Sequence, residues 1–124
     1  YVKIPALNTK GESTAALVKR LSADGIKVNV TTIFTPEQVD EFVDAVSAET
    51  PSILSIFAGR IADTGVDPLP LMAESVKQAA VKPAAEVLWA STREVLNIFR
   101  AESVDHYGPQ CPSCQTQEFR ERFA

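Results

Sequence analysis

No stretch of this sequence is apolar over anything near the roughly 20 residues that a bilayer-crossing helix needs, so no membrane partner is expected. No leader is expected from the opening residues. Cysteine is scarce: Cys111 and Cys114 are the only two, and nothing demands an oxidising compartment. The expectation is a cytoplasmic protein. Long basic runs are missing too, with 12 Lys and Arg against 16 Asp and Glu for a net charge of −4. Nucleic acid is therefore a poor partner, although a local pair of arginines can still hold an anionic small molecule. Repeats and low-complexity segments are absent. What remains is a chain of 124 residues, 45% of them hydrophobic, a size and composition suited to one domain with a core.

Four apolar stretches have strand character: Val2–Ile4, Ile26–Val30, Ser52–Phe57 and Glu86–Ala90. Helical patterns separate them. Thr14, Leu17, Val18 and Leu21 share one helical face, and Gly25 is placed to stop that helix. Thr35-Pro36-Glu37-Gln38 reads as a capping box with proline in the first turn, followed by the stripe Val39, Phe42, Val43 and Val46. A third helix is predicted from Asp67-Pro68 to about Ala80, with Leu69, Met72, Val76 and Ala79 inward. A fourth is predicted to start at Ser91-Thr92-Arg93-Glu94, with Val95, Ile98 and Phe99 inward. Alternation of short strands with amphipathic helices implies an α/β fold with a parallel sheet, as a doubly wound sheet or a barrel. Beyond Asp105 the pattern fails: residues 106–124 are polar, contain Gly108, Pro109 and Pro112, and show no clean period.

Several residues have types and places that suit chemistry. Lys3 alternates with Val2 and Ile4, so it points to the opposite face of its strand. On a buried face, desolvation favours a neutral, nucleophilic amine of the kind that forms a Schiff base; an exposed lysine on a frayed strand is the alternative. Asn29 and Thr31 share a face at the end of the second strand, where parallel sheets bind ligands, or they simply begin a polar loop. In Ser55-Ile56-Phe57-Ala58-Gly59-Arg60 a strand ends, a glycine relaxes the backbone, and an arginine with a phosphate-matching fork follows. A surface ion pair between Arg60 and Asp63 is the alternative. Ser91 and Arg93 repeat that logic at the next strand end, where a helix N-terminus would favour an anion; Ser91 could equally be only an N-cap. Cys111-Pro112-Ser113-Cys114 with His106 offers three ligands where a closed zinc site wants four, so no metal is expected.

Taken together these motifs resemble the transaldolase family, on its fructose-6-phosphate-aldolase-like side. Val2-Lys3-Ile4-Pro5 resembles the strand of the active-site lysine, and Asn29-Val30-Thr31 the next strand, whose Asn and Thr line the pocket. Ser55 through Arg60 resembles the family's Ser-Pro-Phe-Val-Gly-Arg, with Ile56 and Ala58 departing, and Ala90-Ser91-Thr92-Arg93 resembles Ala-Ser-Phe-Arg. The resemblance covers about Val2 to Asp105. It implies a partial (β/α)8 TIM barrel of four consecutive βα units, the fourth to the seventh. It also implies transfer or cleavage of a dihydroxyacetone unit of a sugar phosphate through an imine on Lys3, within the pentose phosphate pathway. Asn29, Thr31, Ser55, Phe57, Arg60, Ser91 and Arg93 would bind the substrate, with no cofactor. A non-catalytic α/β module binding phosphate or a protein partner is the alternative.

The lysine strand is the first element here, and the family's acidic residues on earlier strands are missing, so this piece is expected to be inactive alone and prone to associate, as a homo-oligomer or with another chain. The family continues with a strand resembling Ile-Ile-Thr-Val-Pro where this chain has His106-Tyr107-Gly108-Pro109. Codons for the tail can be chosen so that a shifted frame reads Ile-Thr-Val-Pro. Residues 106–124 are accordingly expected to be a frameshifted or disordered tail, with an accidental cysteine pair.

Overall fold

The computed structural model describes residues 1–105, so His106, Cys111 and Cys114 lie outside the described residues. Its elements run β1 (Val2–Pro5), α1 (Ala15–Ala23), β2 (Val28–Ile33), α2 (Pro36–Ala45), β3 (Ser52–Ile56), α3 (Ala58–Asp63), α4 (Leu69–Ala79), β4 (Ala85–Trp89) and α5 (Leu96–Asp105). All four strands are parallel and stand in sequence order, β1-β2-β3-β4. Right-handed crossovers in such an order put every helix on the same side. A doubly wound sheet would reverse its order at some point and cover both faces. This sheet does neither, and among the described residues it has the layering of part of a (β/α)8 barrel.

Side-chain alternation sorts the strand residues between two unlike faces. Ile4, Val28, Val30, Ile33, Leu54, Ile56, Ala85, Val87 and Trp89 point under the helices and are buried. There they meet Val18, Val39, Phe42, Val43, Met72, Val76 and Ala79, the inward stripes of α1, α2 and α4. Complete burial of a side chain such as Phe42 stabilises the fold by about 3 kcal/mol. On the other face Lys3 is exposed, and Asn29, Ile53, Glu86 and Leu88 are half-buried.

Local signals explain the helix ends. The Thr35 hydroxyl accepts from the Gln38 N–H at 3.3 Å, while the Gln38 side chain accepts from the Phe34 N–H at 2.8 Å, one residue ahead of the usual return contact of a capping box. α1 stops in a Schellman turn: Gly25 has φ +79°, its N–H donates to Ser22 O at 3.1 Å, and Ile26 N–H reaches Leu21 O at 3.0 Å. The buried stripe of α1 is rotated from the expected one, with Val18 and Ser22 inside and Leu17 exposed. Ser22 is inside because it has partners. Its hydroxyl accepts from Ser47 N–H and its carbonyl from the Thr50 hydroxyl, both at 2.8 Å. Lys82 adds a further brace at this end of the sheet, donating to Val46 O at 2.9 Å where α2 ends.

The fourth predicted helix starts later than its sequence suggests. Ser91 has φ +63°, so it does not cap a helix. Instead Asn97 Oδ1 accepts from the N–H groups of Arg93 and Glu94 at 2.9 and 3.2 Å, and α5 begins at Leu96. The inward set shifts with it: Asn97 and Val104 are buried, while Val95 and Phe99 are exposed.

Candidate functional site

The candidate residues form two groups, one along the strands and one beyond their C-terminal ends. The first lies on the uncovered face of the sheet. Lys3 pairs with Asn29 in register, which puts their side chains on the same face. Ser55 is buried and donates its hydroxyl to Asn29 Oδ1 at 2.7 Å. Thr31, two residues along from Asn29, is buried with its hydroxyl unpartnered among the described residues. A buried hydroxyl without a partner costs stability, and groups left in that state tend to mark sites where something else completes the bonding. Lys3 departs from the desolvated placement that a Schiff-base lysine would favour. Its side chain is exposed, because no layer covers this face among the described residues and β1 stands at the end of the strand order.

Thr31 holds its place through a bulge. β2 and β3 are in register at Val30↔Leu54 and again at Ile33↔Ile56, so β2 has one residue more between those points. The extra residue lets Ile33 return to the helix-covered face while Asn29 and Thr31 stay on the open one. Thr32 takes up the geometry with φ +59°.

The second group stands beyond the ends of β3 and β4. Phe57 precedes α3 and meets Phe34 edge to face, ring centres 5.6 Å apart. Arg60 projects from α3 and is exposed. Gly59 lets α3 start against the end of β4: its N–H donates to Ala90 O at 3.3 Å, and a Cβ there would stand 1.6 Å from the Ser91 carbonyl oxygen. That approach seats Ser91 and Arg93 against the helix that bears Arg60. Asp63 bonds Arg93, with Nη2 donating to Oδ2 at 2.7 Å. The ion pair read from the sequence as Arg60–Asp63 is thus made by Arg93. The Arg93 hydrogen bond, with the charges of Arg93 and Arg60 behind it, holds the Asp63 carboxyl below its ordinary range.

Lys3 and Arg93 are at opposite ends of the strand order, with Arg60 one strand nearer. With strands about 4.8 Å apart, three intervals separate β1 from β4 by about 14 Å along the sheet. Sequence reasoning missed Thr32. The signal was present: apolar positions run Val28, Val30, Ile33, and the change from even to odd spacing announces an extra residue.

The profile of the Transaldolase/Fructose-6-phosphate aldolase family matches residues 1–107, and the chain belongs to that family. No curated protein matches it individually. The matched span contains every candidate residue, and membership points to an enzyme of the transaldolase or aldolase type. Among the described residues no helix is long and apolar enough to cross a membrane.

Proposed function

We propose that this chain bears the imine-forming lysine and the phosphate-holding residues of a transaldolase-type site, and that its four βα units correspond to the fourth to seventh of a (β/α)8 barrel. Lys3 Nζ attacks the carbonyl carbon of a ketose phosphate. Loss of water from the adduct gives an iminium, which withdraws the electron pair of the bond between the third and fourth carbons as that bond breaks. Ser55, Arg60, Ser91 and Arg93 receive the phosphate, with Arg93 exchanging Asp63 for the incoming anion. Asn29, Thr31 and Phe57 line the space between. Proton transfer is the part these strands supply least: β1, β2 and β3 contain no Asp or Glu, and Glu86 of β4 is the carboxylate sharing the face of Lys3.

The observation that carries this reading is the register of Lys3 with Asn29 together with the Asn29–Ser55 bond, which aligns the lysine with a polar row on one sheet face. Borohydride reduction in the presence of fructose 6-phosphate tests it. The expected result is a covalent adduct on Lys3, seen by mass spectrometry and missing in Lys3→Arg. A protein that binds phosphate yet gives no adduct supports the second reading, a non-catalytic phosphate-binding module, which the exposure of Lys3 favours.

A further inference from the structure

The β2 bulge does more than add a residue. Thr32 sits at φ +59°, a region that a β-branched side chain rarely enters and that Gly, Asn or Asp enters at lower cost. Its hydroxyl lies at the junction of two strands, donating to Thr31 O at 2.6 Å and accepting from Ala6 N–H at 3.3 Å. The Ala6 N–H also donates to Thr31 O at 2.8 Å, so one amide is shared between the carbonyl and the hydroxyl of consecutive threonines. Ala6 is the residue that follows β1, three positions along from Lys3. β1 is short, four residues, and stands at the end of the strand order. Its exit is therefore where it most needs an anchor.

We propose that Thr32 is a positioning residue that clasps the end of β1 to the β2 bulge, holding Lys3 in register with Asn29 while Thr31 stays on the same face. The clasp rests on the geometry alone; its effect on imine formation rests on the reading of Lys3 as the nucleophile. The hydroxyl is what matters, since glycine would accept the backbone conformation with less strain but offers no oxygen to Ala6.

Two variants separate these roles. Thr32→Gly keeps the bulge and removes the hydroxyl; Thr32→Ser keeps both. In Thr32→Gly the Ala6 amide keeps its 2.8 Å bond to Thr31 O and loses only the 3.3 Å branch, so it should exchange with solvent about twofold faster. Adduct formation at Lys3 with fructose 6-phosphate and borohydride should slow by a similar factor, with binding of inorganic phosphate unchanged. Thr32→Ser should restore both rates. The clasp is overturned if Ala6 exchange in Thr32→Gly matches that of the unaltered protein, or if Thr32→Ser exchanges as fast as Thr32→Gly. The effect on Lys3 is overturned if the unaltered protein and Thr32→Gly form adduct at equal rates. Should the unaltered protein form no adduct while Ala6 exchange responds as stated, the Schiff-base reading fails and the clasp stands.

Discussion

Replacing Gly59 with alanine tests the close approach on which the proposed phosphate-holding group depends. The new Cβ would stand 1.6 Å from the Ser91 carbonyl oxygen and 2.7 Å from the carbonyl carbon. Both are backbone atoms, so no side-chain rotation relieves the overlap. Restoring an ordinary separation of about 3.5 Å requires α3 and the end of β4 to part by about 2 Å. That takes the Gly59 N–H to Ala90 O bond, already 3.3 Å, out of range, and strains the 2.8 Å bond from Ala90 N–H to Ile56 O. Overpacking costs about 1–3 kcal/mol and two backbone hydrogen bonds about 1 kcal/mol each, so the loss should be near 4 kcal/mol. Gly65→Ala is the control: φ is +84° but nothing lies within 4 Å of its added Cβ. It should cost about 1 kcal/mol, the left-handed backbone penalty alone. Urea unfolding followed by circular dichroism measures both. A Gly59→Ala protein no less stable than Gly65→Ala would refute the reasoning. Where the variant folds, inorganic phosphate should bind it more weakly than it binds Gly65→Ala.

Asp63→Asn should lower stability slightly at neutral pH, and the difference from the unaltered protein should vanish toward acid pH. The folded carboxyl titrates below the ordinary value near 4, so its contribution is complete above that value and disappears as pH falls through the lower folded one. The pair is exposed, so the difference between the two proteins should be small and reduced by salt; unfolding curves from neutral to acid pH check this, and a difference that persists or grows as pH falls would contradict it. Ser55→Ala removes the donor to Asn29 Oδ1 and should destabilise by about 1 kcal/mol. It should also slow adduct formation at Lys3, whereas an equal loss of stability with unchanged adduct rate would reduce Ser55 to a packing role.

Period and punctuation made most of the framework legible. Thr35-Pro36 announced α2, Gly25 ended α1, and alternation set Lys3 opposite Val2 and Ile4 and put Asn29 and Thr31 on one face of their strand; the register of β1 with β2 joins the two. Three features escaped for physical reasons. α3 follows β3 so closely, with Phe57 alone between them, that Ala58–Asp63 read as a glycine-relaxed loop. Ser91 with Glu94 has the composition of a capping box, but Asn97 competes for the same N–H groups from the next turn and delays the helix. The burial of Lys3 depends on what lies over the open face, and no property of a tetrapeptide encodes a neighbouring layer. The site's polar row was readable because it is local to strands; the Arg93–Asp63 pair was not, because it joins residues 30 positions apart.

The braces formed by Ser22, Thr50 and Lys82 all lie where chains enter the strands, while Arg60, Ser91 and Arg93 lie where chains leave them. Bracing and the proposed anion-holding groups are thereby assigned to opposite poles of the sheet. Exchanging the loops at the exit pole should change which anion is accepted without reopening the question of whether the polypeptide folds, whereas a change at the entry pole should act first on the frame.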